Sequence, residues 1–345
     1  MPAERSSATV VIATYNRAQW LESTLNSLMR MECRHPWDII VIDNNSTDAT
    51  PLVISKYSGT GPVPVLPLFE PRQGKSMALN TALAHARGDI IAFTDDDVDV
   101  DPHWLTAACD LLDANPAADY VGGPVIPIWG KEPPNWFDRQ RGELWGTVAI
   151  LDYGPEPFVF EERQKVPLGV NMAVRRRLIE QIGGFHPQLG RRGRSLLGQE
   201  QAEFFSRARA AGARGLYAPS MALRHHVPAE RLTRHYFRRW WFWKGVARAR
   251  VDAMHGQTEL GLDLRTVPHV ARVPRFVWGQ IPRDAARWAA AALAGNAHAA
   301  MRHAMSLCYH AGYIRECWTS RSRSDALPPA APGLSPRRLD PRALP

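Results

Sequence analysis

The stretch IIAFTDDDVDVDP, residues 90–102, decides how the rest of the sequence is read. An apolar run ends in three consecutive carboxylates, Asp95, Asp96 and Asp97, with Asp99 and Asp101 close behind. Like charges this close repel, and a desolvated carboxylate is costly unless it is paired or bound to a cation. Either the run lies in water as an acidic turn, with Asp99 and Asp101 capping a helix near Pro102, or something positive sits on it.

Outward from that point, DIIAFT (89–94) reads as a buried strand, and shorter runs before it repeat the pattern. TVVIA (9–13) and WDIIVID (37–43) are strand-like, while VPVLPLF (63–69), with Pro64 and Pro67, suits an edge. AQWLESTLNSLMRM reads as a helix, and so does KSMALNTALAHARG, closed by Gly88. Strands alternating with helices predict right-handed βαβ units and a mostly parallel α/β sheet. Ligands of such sheets collect at the carboxyl ends of the strands. Thr14, Tyr15 and Asn16 follow the first strand, Asp43 and Asn44 end the second, and the acidic triplet ends the fourth. Together they outline a nucleotide-sized crevice.

Beyond residue 120 the pattern loosens. GGPVIPIWGKEPPNWFD reads as an irregular excursion, and VPLGVNMAVRRRLIEQIGGF as strand, turn and helix stopped by Gly183 and Gly184. GQEQAEFFSRARAAG is a helix closed by Gly212, followed by the short strand RGLYA. From Pro228 a basic aromatic helix begins, and a second helical region runs from about 281 to 318. The tail SDALPPAAPGLSPRRLDPRALP is Pro-rich and reads as disordered.

With 45% hydrophobic and 22% charged residues, the 345-residue chain has an ordinary globular composition. Its formal net charge of +8 favours anionic partners: phosphates, nucleic acid or an acidic membrane. Cys33, Cys109, Cys308 and Cys317 have no zinc-like spacing and read as reduced thiols, consistent with a cytosolic setting. The start lacks a signal-like apolar segment. AARWAAAALAGNAHAAM is the nearest approach to a spanning helix, and Arg287, Asn296 and His298 interrupt it. The expectation is a cytoplasmic protein, soluble or peripheral on the inner face of the membrane.

ATYNR, IDNNSTD, QGKSMALN, GDIIAFTDDD, LGVNMAV with GGF, and the region of Glu200 occur in the order found in family 2 glycosyltransferases. Over roughly residues 8–250 the chain resembles that family, whose fold is GT-A. The resemblance implies an inverting transferase that moves a sugar from a nucleotide-diphosphate sugar to a hydroxyl of a glycan or lipid-linked acceptor. Taken with the composition of the C-terminal part, the expected organisation is a GT-A catalytic domain over 1–227, a basic aromatic helical region over 228–320 on the acceptor side, and a Pro-rich disordered tail over 321–345.

Such a transfer needs the departing diphosphate neutralised, and a divalent cation suits that task. Mn²⁺ and Mg²⁺ take hard oxygen ligands. By resemblance Asp95 and Asp97 form the DxD motif, with Asp97 on the metal and Asp95 holding ribose or a metal-bound water. Asp96 lies between them, among the nucleotide-sugar contacts. Thr14, Tyr15 and Asp43 resemble base and ribose contacts, although an Asx turn in DNNSTD accounts equally for Asp43. Gly74 and Lys75 start a helix, where free N–H groups and a cation favour phosphate, and Asn80 matches a family position on that helix.

Gly169 and Asn171 resemble the GxNxA segment lining the sugar pocket; a strand end with a satisfied amide is the plainer reading. GGFHP puts His186 where the family commonly has an acid. The family's Glu-Asp pair becomes Glu200-Gln201 here, and an amide cannot accept the acceptor's proton. Glu200 is therefore the candidate base and Glu203 the substitute, against the plainer reading that both complement a helix N-terminus. In RHHVP, His225 is the candidate third metal ligand; neighbours on a strand point to opposite faces, so only one of His225 and His226 can reach the site. The helix carrying Arg231, Arg239, Lys244 and Trp240 is expected beside the acceptor, able to touch an anionic membrane.

Two other classes stay open. A nucleotidyltransferase shares a related sheet, but ATYNR is not its Gly-rich phosphate loop. A non-catalytic nucleotide-sugar or membrane binder is kept in view by Gln201. Nucleic-acid binding ranks last.

Overall fold

The computed structural model describes residues 5–320 except 60, 141, 161–164, 194 and 259–260. The Pro-rich tail expected to be disordered lies outside the described residues. The first half alternates as anticipated: β1 (Ala8–Thr14), α1 (Ala18–Met29), β2 (Trp37–Asp43), α2 (Thr50–Tyr57), β3 (Val65–Phe69), α3 (Lys75–Leu83) and β4 (Ile90–Thr94). α3 stops at Leu83, short of the expected Gly88. Gly88 instead lies against β1, where a Cβ would come 2.5 Å from Thr9 N.

There follow β5 (Val98–Val100), α4 (Trp104–Ala114), β6 (Tyr120–Gly122), β7 (Val125–Trp129), β8 (Phe158–Val159), β9 (Met172–Arg175), α5 (Arg176–Ile182), α6 (Glu200–Ala210), β10 (Gly215–Tyr217) and β11 (Leu223–Val227). The stretch expected to be irregular after residue 120 thus contains a strand, β7. The C-terminal part is α7 (Arg234–His255), β12 (His269–Val270), β13 (Val273–Pro274), α8 (Arg275–Leu293) and α9 (Ala297–Thr319).

An eight-stranded sheet runs β3-β2-β1-β4-β9-β6-β10-β8. Its first four strands are parallel, and β9 is antiparallel to both β4 and β6. β3 is the edge, in keeping with Pro67 inside it and Pro64 just before it. Strand alternation sorts the core: Val10, Ile12, Ile39, Val41, Ile90 and Ala92 pack on one face, and Val11, Ile40, Ile42, Ile91 and Phe93 on the other. Helices cover both faces, so β1, β2 and β4 are almost wholly buried and their polar side chains are driven to the strand ends, while the edge strand β3 is largely exposed.

A second sheet, β5-β11-β7, crosses the end of the first. β11 runs antiparallel to β5 with His225 opposite Val98, one residue past the acidic triplet. The chain then turns into α7, most of whose aromatic side chains are at least partly buried. Phe237 and Trp241 join Trp136, Phe137, Met301 and Met305 in one apolar cluster, and α7 packs along α9. The two helices meet at Gly245 and Gly312: a Cβ on either would come 1.9 Å from a carbonyl oxygen of the other helix.

Candidate active site

At the carboxyl ends of β1 and β4, beneath α7, lies a cleft of about 520 Å³. Thr14 at the end of β1 is buried and donates to Asp96 Oδ2 at 2.7 Å. Burial, and then the neighbouring Asp97 carboxylate, push the Asp96 carboxyl up to about 6. Asp95 is paired with Lys75 at 2.5 Å. Burial would raise the Asp95 carboxyl, but Lys75 holds it below the usual range.

Asp97 is 3% exposed and ringed by cations. Its Oδ2 lies 3.1 Å from Arg17 and 3.2 Å from Arg231, and its Oδ1 lies 3.3 Å from His225 Nε2. Burial alone would raise this carboxyl; His225, Arg231 and Arg17 hold it far below the ordinary carboxylate range. His225 faces this cluster, whereas His226 turns away and packs its ring 4.9 Å from that of Trp20.

The opposite wall begins at α6. Gln199 takes a left-handed backbone, φ 70°, and sets Glu200 as the first residue of the helix. Glu200 lines the cleft and is 7% exposed, and among the described residues its Oε2 has no hydrogen-bond partner. Glu203 does not line the cleft. Its carboxylate is held by Arg207 at 2.7 and 2.8 Å and by His255 at 3.3 Å. Against the opposing effect of burial, these partners bring it down to about 2. The geometry thus corrects the pairing of the two glutamates as alternatives: a carboxylate spent on an internal ion pair is not available to a substrate.

Other expected contacts divide the same way. Tyr15, Lys75 and Gly169 line the cleft. Asp43 does not; its Oδ1 accepts from Ser46 N at 2.9 Å in an Asx turn. The N–H groups expected to receive phosphate are already used, Gly74 N by Asn44 Oδ1 and Lys75 N by Arg191 O, so at this helix start the ammonium alone faces the cleft. Asn80 pins the GGF turn by donating to Phe185 O and accepting from Phe185 N. Asn171 is fully buried: Trp104 Nε1 donates to its Oδ1, and its amide donates to Pro124 O and Met221 O. Neither asparagine lines the cleft, and Asn171 is a structural strut with its amide consumed inside the core, which corrects it from a sugar-site contact.

Sequence reasoning missed Arg17 and Arg191, which line the cleft. The only signal for Arg17 was its place just after the first strand. Arg231, Arg239, Trp240 and Lys244 also line it, so the N-terminal part of the basic aromatic segment is a wall of the site.

The donor chemistry fits a divalent ion. Two carboxylates and an imidazole are the ligands that Mn²⁺-type ions accept. Neighbouring ligands about 2.1 Å from an octahedral ion stand about 3 Å apart, close to the 3.3 Å between Asp97 Oδ1 and His225 Nε2. No three such side chains among the described residues form a ready-made cluster. Entry of an ion therefore means exchanging Lys75, Arg17 and Arg231 for metal as partners of the acids.

In a mostly parallel α/β sheet ligands bind at the carboxyl ends of the strands, which is where the acids and cations gather here. The chain matches the model of Glycosyl transferase family 2 over residues 9–183, just over half its length, and belongs to that family. It is similar to the glucosyl-dolichyl phosphate glucuronosyltransferase of Haloferax volcanii, 24% identical over 251 residues covering 72% of this chain and 78% of that one. It is also similar to the succinoglycan biosynthesis protein ExoM of Rhizobium meliloti, 26% identical over 260 residues covering 74% and 76%. The mannosyltransferase PcManGT of Pyrobaculum calidifontis, solved with GDP-Man and Mn²⁺, shares the fold at a TM-score of 0.60 over 93% of this chain and 89% of that one, with 23% identity. The architecture is GT-A, and the protein is a glycosyltransferase.

Proposed function

We propose that the protein transfers a sugar, with inversion, from a nucleotide-diphosphate sugar to a hydroxyl of a glycan or lipid-linked acceptor, with Glu200 as general base. One observation carries this reading: Glu200 lines the cleft that holds the acidic triplet, and one oxygen of its buried carboxylate has no hydrogen-bond partner among the described residues. Glu200 takes the proton of the acceptor hydroxyl as that oxygen bonds to the anomeric carbon. The bond from that carbon to the diphosphate breaks on the opposite face, and its electron pair leaves with the phosphate oxygen. A single displacement of this kind inverts the anomeric centre.

Lys75 and Arg191 lie where they can neutralise the departing diphosphate, and Tyr15 where it can contact the base or ribose. Asp95, Asp97 and His225 would hold a divalent ion, Mn²⁺ or Mg²⁺, which when bound would stabilise charge developing on the phosphate oxygens. The relative solved with GDP-Man and Mn²⁺ supports such a donor and ion. A lipid-linked acceptor is supported by the dolichyl phosphate glycoside named for the Haloferax relative. Residues 1–227 supply the donor side and 228–320 the acceptor side. The protein would then work at the cytoplasmic face of a membrane; no helix among the described residues is long and apolar enough to cross one.

The test is transfer and donor hydrolysis over a panel of nucleotide sugars with wild type and Glu200→Gln. Loss of a general base costs about 10²–10⁴ in rate, with nucleotide affinity expected to stay unchanged. Two proteins equally inert across the panel, both still binding nucleotide, would favour a binder without catalysis.

A further inference from the structure

We infer that the outer face of α8, with the β12–β13 hairpin beside its N-terminus, is the surface by which the protein adsorbs to an anionic lipid bilayer. α7, the segment whose composition predicts such contact, is largely enclosed, and α8 takes its place. Arg272 at the hairpin turn and Arg275, Arg283 and Arg287 on α8 are all exposed, and none forms an ion pair among the described residues. Phe276, Arg283, Arg287 and Ala290 share one helical stripe by their spacing.

The single acid of α8, Asp284, is turned inward. It accepts from Ser306 at 2.6 Å and stands 3.3 and 3.2 Å from His303 and His310 of α9. The helix therefore shows solvent only positive charge.

Large apolar side chains stand among these arginines. Leu293 is 90% exposed and Trp318 54%, with Val270 and Phe276 also exposed; Trp288, one turn on from Asp284, lies off this face. Trp278 and Trp318 donate their indole N–H groups to Val270 O and Ala271 O at 3.0 and 2.9 Å. The hairpin is thereby braced, and both indoles have their polar atom satisfied. Arginine and amphipathic indole around a helix carrying no outward acid is the composition of an interfacial helix. The complementary partner is a sheet of anionic headgroups over hydrocarbon. Adsorption by this face does not depend on the catalytic reading of the cleft.

The test is co-sedimentation of the full chain with phosphatidylcholine vesicles, with and without phosphatidylglycerol, over a salt series. Binding to the anionic vesicles, weakened by salt, is expected. R275E/R283E/R287E should lose roughly tenfold or more in partitioning, since each juxtamembrane arginine contributes about a factor of five, with an unchanged melting temperature. F276S/L293S, changed only at exposed positions, should also bind more weakly, and it decides the matter if the triple variant does not fold. The inference is overturned by wild type that ignores anionic vesicles or binds neutral ones equally, or by two folded variants that bind like wild type. A wild-type dimer in light scattering that these variants dissolve would assign the face to a second copy of the chain instead.

Discussion

Glu200 and Glu203 lie three residues apart on α6 and are both buried, yet Glu203 is clasped by Arg207 and His255 while Glu200 Oε2 has no partner among the described residues. The two glutamates should therefore fail differently. A depressed carboxyl contributes stability that is present above its unfolded value and lost as pH falls towards the folded one. For Glu203 that window runs from about 4.5 down to about 2, and the shift corresponds to about 2–3 kcal/mol. Glu203→Gln should lower stability at neutral pH by that order while leaving transfer measurable. Glu200→Gln should abolish transfer with little change in unfolding. Denaturant titration beside a transfer assay reads both.

Asp96 has the opposite sign. Its carboxyl sits at about 6, raised by burial and by Asp97, so its contribution is full below the unfolded value near 3.8 and is lost as pH rises through 6. Asp96→Asn removes that loss and keeps a group able to accept from Thr14 Oγ1. Relative to wild type, the variant should gain roughly 1–3 kcal/mol between pH 4 and pH 7.5. Thermal unfolding of both proteins across that range isolates this carboxyl, because the depressed acids are common to both. A flat difference would mean that Asp96 titrates normally.

The parallel half of the fold was legible because its strands are short β-branched runs followed by polar turns, and burial on both faces leaves no other reading of them. The acidic triplet was legible only in company: alone it fits a solvated turn equally well, and its place after a buried strand, beside the polar ends of the other strands, is what pointed to a partner. Its partners were less so: Arg17, Arg191 and Arg231 reach the site from turns and loops, and nothing in their local sequence says which way they face. Asn80 and Asn171 show the converse. A motif gives residue type and position, and only packing reveals that every polar atom of Asn171 is consumed inside the core. The basic aromatic segment was legible in part: its place beside the site could be read, but composition cannot separate a helix facing lipid from one facing another helix.

That reading of Asn171 is itself testable. Asn171→Ala strands the Trp104 indole N–H and two carbonyl oxygens in the core, and buried groups left unpaired cost about 1–3 kcal/mol each. A destabilisation of roughly 3–5 kcal/mol is expected, with an unchanged KM for the donor in whatever fraction stays folded. A raised KM with normal stability would return this residue to the sugar site.

Gly245 offers the sharpest test of how the C-terminal helices are held. A Cβ there would come 1.9 Å from Tyr309 O, an atom of helix backbone that no rotamer change can move away. Overpacking in a core commonly costs about 1–3 kcal/mol, and more when backbone must shift. Alanine, otherwise the better helix former by about 1 kcal/mol, should here destabilise by about 3 kcal/mol or more. The damage should reach the cleft, because α7 carries Arg231's neighbours Arg239, Trp240 and Lys244 into its wall. Gly279→Ala on α8, where a Cβ meets nothing within 4 Å, is the control and should be neutral or stabilising. If both alanines behave alike in thermal unfolding, the close crossing of α7 and α9 is wrong.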